Sequence, residues 1–341
     1  MKALHRIGLL LALAGGSANA TDFTYGDWAV ACDNTRRCEA VGYQRDGEEP
    51  AALYLRREAG PGQPVQLTLM LDTGRGNVPD QVTLTVGQVA VRDVVPEQDI
   101  DEEQAAGLIA ALLKGERAEI EAGSRRWSVS LNGASAALLK MDDLQGRVGT
   151  PGALVRKGTK KEASVLPALP VPLLRAMPPA RARPGDTRLL AAISKSIAKR
   201  ECGGLSGDED EDEDEDEREK ERSLSRLSGN KVLLLIECGH GSYQSSSEAW
   251  IANDKPPFAA EPAILPLAGK PNDNSVVNAY FDKGELSSYD KWRATNECGS
   301  SMKWLWTGKG FALLSWETAA QCRGFPEGIA LRKWIAERAS K

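Results

Sequence analysis

Six prolines crowd one short stretch of the chain, Pro167, Pro170, Pro172, Pro178, Pro179 and Pro184. Proline has no N–H for a ladder and its ring blocks the preceding helical turn, so neither a helix nor a central strand can run through this spacing. Whatever folds cooperatively must form on either side of it. Residues 156–185 therefore read as a semi-rigid linker, with one α+β domain before it at 21–155 and a second after it at 186–341. The length of 341 residues supports the division, because single cores stop growing near roughly 250–300 residues. Between Arg156 and Arg183 the linker carries seven basic residues and one acid, a net +6.

Residues 1–20 read as a signal peptide. Lys2 and Arg6 precede the apolar run Ile7 to Ala14, and Ala18-Asn19-Ala20 supplies small residues for cleavage before Thr21. The run is too short to cross a bilayer, which takes about 20 apolar residues, and no later segment is longer. The expected product is periplasmic or secreted and not an integral membrane protein. Of the two histidines only His240 remains after cleavage of a leader that contains His5.

Export changes the reading of the six cysteines, because an oxidising compartment favours disulfides. No Cys-x-x-Cys spacing occurs. Six cysteines allow 15 connectivities, and the sequence does not choose among them. The expectation is that neighbours pair: Cys32 with Cys38, Cys202 with Cys238, Cys298 with Cys322.

Before the linker, Val65 to Leu71 and Gln81 to Val86 alternate with period two, the pattern of strands with one wet face. A helix capped by Asp99 or Asp101 follows, then a strand at Trp127 to Leu131 and a short helix from Ser135 to Met141. After the linker, Leu189, Leu190, Ile193 and Ile197 mark an amphipathic helix. Ten consecutive acids then occupy Asp208 to Glu217. Like charges repel and nothing apolar can be buried there, so 206–226 is expected to be a disordered loop. Val232 to Ile236 is apolar on both faces and reads as a central strand, and six of the eight tryptophans follow it. The fold class is α+β: two β-rich domains with few short helices, stapled by disulfides.

The formal charge of −5 disfavours nucleic acid as a partner. Without Lys2 and Arg6 the balance is 41 bases to 48 acids, −7. The segment Asp208–Arg222 holds twelve acids and three bases, −9, leaving +2 for everything else. The acidity thus belongs to one loop.

No catalytic constellation is coherent. His240 lies in Cys238-Gly239-His240-Gly241-Ser242 at the end of the apolar strand, so His240 with Ser242 is the one hydrolase pairing to test. Ser-x-x-Lys occurs, as at Ser196 to Lys199 and Ser300 to Lys303, without its Lys-Thr-Gly companion, and Thr307 to Gly310 reads as a hairpin turn rather than a phosphate loop. The acids Asp208, Asp210, Asp212, Asp214 and Asp216 could attract cations diffusely but lack the glycine and mixed ligands of a calcium loop. No cofactor and no defined metal site are expected. Trp250, Trp304 and Trp306 are candidates for an aromatic binding surface. The leading functional expectation is a non-catalytic protein that binds an envelope component or a protein partner, with an envelope hydrolase using His240 and cation binding by the acidic loop as alternatives.

Tyr25-Gly26-Asp27-Trp28 with Val30, Cys32, Asp33 and Cys38, and Trp127-Ser128-Val129-Ser130-Leu131-Asn132-Gly133, resemble an exported bacterial family known as domain of unknown function number 1176. The N-terminal part is similar to invasion-associated locus B proteins. The second half agrees through Gly241-Ser242-Tyr243-Gln244 and Cys298-Gly299-Ser300-Ser301 with Trp304, Trp306, Phe311 and Cys322. The resemblance implies a periplasmic or secreted protein of uncharacterised activity with no catalytic residues to transfer. Ser242 stands where the family pattern reads closer to alanine, which weakens a nucleophilic role, and the acidic run looks like an insertion in this member.

Overall fold

The structure is a computed structural model that describes residues 22–74, 76–197, 202, 221–267, 270–319 and 321–340. The expectations for the leader 1–20, its cleavage site and the acids Asp208–Glu217 lie outside the described residues.

The N-terminal half begins as an antiparallel meander of β1 (Asp22–Tyr25), β2 (Trp28–Cys32), β3 (Cys38–Tyr43), β4 (Ala51–Arg57) and β5 (Val65–Leu71), in that spatial order. A second sheet, ordered β7-β6-β8-β9, comprises β6 (Val82–Val86), β7 (Val89–Val94), β8 (Arg117–Ala122) and β9 (Arg125–Ser130). Helices α1 (Glu102–Leu112) and α2 (Ala134–Leu144) complete the core. Asp101, not Asp99, caps α1, its Oδ1 accepting the N–H groups of Glu103 and Gln104. The inner faces contribute Trp28, Val30, Leu53, Leu55, Leu67 and Leu69, packed on Leu108, Leu112, Leu138 and Met141. Gly42 is required at the centre, because a Cβ there would stand 2.1 Å from the Trp28 ring.

The strands β2 and β3 are buried on both faces. Their outer residues Ala29, Ala31, Val41 and Tyr43, with Ala52 of β4, are covered by Phe325, Ile329 and Leu331 from the far end of the chain.

The proline-rich segment is held by both halves. Leu169 N–H donates to Thr35, Met177 N–H to Trp306 and Ala180 N–H to Leu227. Its two-residue strand β10 (Leu173–Leu174) pairs in parallel near the C-terminus. Upstream, Glu162 accepts from Gly62 and Gly152 N–H and faces Arg147 at 3.5 Å. Burial pushes the Glu162 carboxyl upward, but these N–H groups, Thr150 and Arg147 outweigh it and hold it below the usual range.

The C-terminal half opens with α3 (Asp186–Ile197) and continues with β11 (Arg222–Arg226), β12 (Lys231–His240), β13 (Ser245–Asn253), β14 (Glu261–Pro262), β15 (Leu265–Leu267), β16 (Lys270–Asp273) and β17 (Ser275–Val277). Its first sheet runs β11-β12-β13-β14, with β17 also on β13. The second is a meander of β18 (Tyr280–Asp282), β19 (Glu285–Lys291), β20 (Gly299–Trp306), β21 (Phe311–Ala319) and β22 (Leu331–Ile335), and β23 (Glu337–Arg338) partners β10. The two sheets pack face to face through Leu233, Ala249, Leu286, Trp304, Trp306 and Trp316. Helix α3 covers the opposite face, setting Ile193 and Ile197 on Val232, Leu234, Ile236 and Trp250. Val232 to Ile236 is apolar on both sides because each side meets a different layer.

Two expectations are overturned. Residues 222–226 are not loop: Arg222–Arg226 forms a strand in register with Val232–Ile236, held by Arg226, which bonds Asp186 at 2.6 Å and Asp254 at 3.0 Å. Trp250, Trp304 and Trp306 are 3%, 3% and 1% exposed and fill the two C-terminal cores, so they present no binding surface. Their indole N–H groups are spent internally on Glu248, Pro266 O and Ser228 Oγ.

Three disulfides join Cys32 to Cys38, Cys202 to Cys238 and Cys298 to Cys322. Their sequence separations of 6, 36 and 24 correspond to about 2, 4 and 3 kcal/mol of unfolded-state restraint in the chain-entropy treatment.

Candidate ligand-binding cleft

The Cys32–Cys38 staple closes a turn whose polar side chains seize β22. Asp33, its carboxylate fully buried, receives Arg332 Nε and Nη2 at 2.6 and 2.5 Å and also holds Thr35. Arg332 N–H donates to Glu39 at 2.7 Å. Asn34 exchanges two bonds with the Ile335 backbone, at 2.8 and 3.0 Å. Lys333 reaches Asp22 at 2.9 Å while lying over the Trp316 ring, and Arg323 pairs with Asp27 at 2.7 Å. Together with the apolar contacts of Phe325, Ile329 and Leu331, these bonds dock the end of the chain on the first sheet.

The docked segment does not cover that sheet completely. Beyond Ile329 and Ala330 an open cleft of about 520 Å³ remains, floored by Tyr54 and Arg56 of β4 and Thr68 and Met70 of β5, and walled by Glu97, Gln98 and Asp99. The floor follows from strand periodicity: Ala52, Tyr54 and Arg56 share the outer face, as do Thr68 and Met70, and Tyr54 pairs directly with Thr68. The wall is pinned to the edge of β5 by Glu97 N–H to Leu69 and Ile100 N–H to Leu67, both 2.8 Å. Glu97 takes φ +65, a left-handed conformation uncommon for a residue with a side chain.

The polar groups inside are ordered. Arg56 bonds Gln66 through Nε at 2.6 Å and faces Asp99 through Nη2 at 3.3 Å. Thr68 Oγ1 donates to the other Asp99 oxygen at 2.7 Å. Burial, with Glu39 beside it, pushes the Tyr54 phenol well above its ordinary range, so it stays protonated. The cleft thus combines an apolar patch of Tyr54, Met70 and Ile329 with a fixed guanidinium and two carboxylates. That is the mixture of a recognition site at a junction between structural units. No histidine, cysteine or serine lines it.

The sequence-derived candidates lie elsewhere. His240 is largely exposed, with Nδ1 3.1 Å from Glu237 Oε1. Ser242 sits in the tight turn closed by Gly241 N–H to Gln244 O, and no hydrogen bond joins it to His240 among the described residues. Cys202, Cys238 and Glu248 cluster with metal-ligand spacing, but both sulfurs are committed to a disulfide. None of Tyr54, Arg56 or Asp99 was a candidate site residue in the sequence, where Asp99 entered only as a possible helix cap. The available signal was the alternation in β4, which sets Tyr54 and Arg56 on one face with Ala52.

Fold and cleft together define a β-rich, disulfide-stapled scaffold with a ligand-sized recess lined by a guanidinium and two carboxylates. The chain belongs to the family described as Protein of unknown function (DUF1176), whose model matches residues 22–337. It is 25% identical over 321 residues to the uncharacterized protein YpfG of Escherichia coli (strain K12), covering 87% of this chain and 88% of that one. A solved structure of invasion associated protein b from Bartonella henselae is similar over 37% of this chain and 99% of its own, at 22% identity and a TM-score of 0.28.

Proposed function

We propose that the chain is an exported, non-catalytic binding protein of the cell envelope, built from domains at 21–155 and 186–341 that residues 156–185 link, and that it holds its ligand in the cleft floored by Tyr54, Arg56, Thr68 and Met70. The observation carrying this reading is the cleft itself, whose walls come from both halves and are fixed before any ligand arrives by the Asp33–Arg332 lock. Pre-organised recesses spend little of their binding energy on ordering. The leader-like N-terminus and the fully paired cysteines support export. The hydrolase alternative is less favoured, since Nδ1 of His240 faces Glu237 and no hydrogen bond joins His240 to Ser242 among the described residues.

The test is calorimetric titration of the chain with peptidoglycan fragments, lipopolysaccharide and envelope extract fractions. Binding should weaken at least tenfold in Arg56→Ala, a half-exposed residue whose removal costs the fold only about 1 kcal/mol or less. Tyr54→Ala should weaken it similarly. Absence of binding to any fraction, or binding indifferent to both substitutions, would refute the assignment.

A further inference from the structure

A second recess lies in the C-terminal half and shares no lining residue with the cleft. It measures about 150 Å³ and is lined by Glu221, Ser223, Leu235, Glu237, Ser245, Ser247, Asn278 and Ala279. Three strands build it. Ser223 stands opposite Leu235 on β11 and β12, and Glu237 stands opposite Ser247 on β12 and β13. Directly opposed residues project from the same face of a sheet, so the Glu237 carboxylate and the Ser247 hydroxyl enter the recess side by side.

Its chemistry is one-sided. Two carboxylates line it and no lysine or arginine does. Asn278 is already used, its Oδ1 accepting from Ser245 N–H and its Nδ2 donating to Tyr289 O. Glu237, with its side chain 20% exposed, has the exposed His240 ring as its one side-chain partner among the described residues. Ser247 is 8% exposed, yet its hydroxyl makes no hydrogen bond to the described residues. That hydroxyl lines the recess and is open to a ligand there. Leu235 and Ala279 supply an apolar floor.

We propose that this recess binds a primary alkylammonium group. An ammonium is a compact charge with three N–H donors that rotate freely, matching one carboxylate and two hydroxyls where a flat guanidinium would need a bidentate acceptor. Its methylene stem rests on Leu235 and Ala279. The volume, equal to about five waters, admits a short stem and excludes a drug-sized ligand. A bare divalent ion fits less well: Cys202, Cys238 and Glu248 are the grouping of three ligand atoms close enough for metal among the described residues, and neither Glu221 nor Glu237 joins it.

The ten acids of Asp208–Glu217 would attract any polycation, so the experiment uses the full chain with those residues changed to Asn and Gln. Calorimetry with 1,5-diaminopentane, and in a parallel arm with a blocked tripeptide carrying one central lysine, distinguishes a free amine from a lysine side chain; 1,5-pentanediol controls for the stem. At least one ammonium should bind saturably at one per chain, with the diol inert. Affinity should fall at least tenfold in Glu237→Gln and at least threefold in Ser247→Ala. If Glu237→Gln does not fold, Ser247→Ala decides alone. Failure of both amines to saturate, equal binding of the diol, or affinities unmoved by the substitutions would overturn the proposal.

Discussion

Asp33 illustrates how much one side chain can hold. Its carboxylate is sealed from solvent and bonded to Arg332, Thr35 and the Arg37 N–H. Removing one partner of such a pair strands the other charge, so Asp33→Ala should cost about 3–5 kcal/mol. Glu121→Ala, which breaks an exposed pair with Arg126, should cost about 1 kcal/mol or less. Urea denaturation of the two variants compares them directly; equal losses would contradict the burial argument. In the sequence Asp33 stood out only as one of the residues that carry the family resemblance. Its role was illegible because the partner is 299 residues away, and no local pattern reports a pairing at that distance. The same holds for the cleft, whose Tyr54 and Arg56 look like ordinary outward strand residues until Ile329 closes the far side.

At the level of elements, the local signals worked where they were local. Asp101→Ala should remove the cap of α1 and cost about 1 kcal/mol, measurable as a lowered urea midpoint with unchanged slope. The hairpin turn at Thr307 to Gly310 and the two-faced strand at Val232 to Ile236 were likewise legible, because turn chemistry and continuous apolarity are short-range properties. The strand Arg222–Arg226 was not, since its charges join it to the acidic run on inspection. Only tertiary structure reveals that Asp186 and Asp254 neutralise Arg226. For the turn that grips β22, replacing Cys32 and Cys38 together by serine should remove about 2 kcal/mol of chain restraint and disorder Asp33 and Asn34 as well. Hydrogen exchange at Arg332 and Ile335 N–H should accelerate in that variant more than at β20, and uniform acceleration would argue that the staple acts on the unfolded chain alone.

For the whole molecule, acid stability follows from which carboxylates are held low. The Arg226 guanidinium bonds Asp186 and, despite some burial, keeps it below the ordinary carboxylate range. A depressed folded value means the contribution is present above the unfolded pKa, about 3.9, and is lost as pH falls through the lower folded value. Glu162 and Glu297, depressed by N–H and side-chain donors that outweigh their burial, act in the same direction. Asp142 opposes them, because burial raises it and protonation then favours the native state. Urea stability should thus decline between about pH 4 and 2, with a shallower decline in Asp186→Asn. A second global expectation concerns the halves: residues 21–155 made alone would expose Ala29, Ala31, Val41, Tyr43 and Ala52. They should bind a hydrophobic dye and release it when a peptide spanning 321–340 is added; a dye-silent fragment would mean that the first sheet needs no cover.

The strand β22 forms one border of its sheet, with no further strand beyond it among the described residues. Such a border is a template on which another chain can polymerise. Here the Arg332 and Ile335 N–H groups are occupied by Glu39 and Asn34, side chains rather than backbone. Side-chain acceptors saturate the donors without offering a new ladder to extend. The docking that shapes the cleft therefore also terminates growth, and loss of Asn34 or Glu39 would be read first as fibre formation on storage, before any change in ligand affinity.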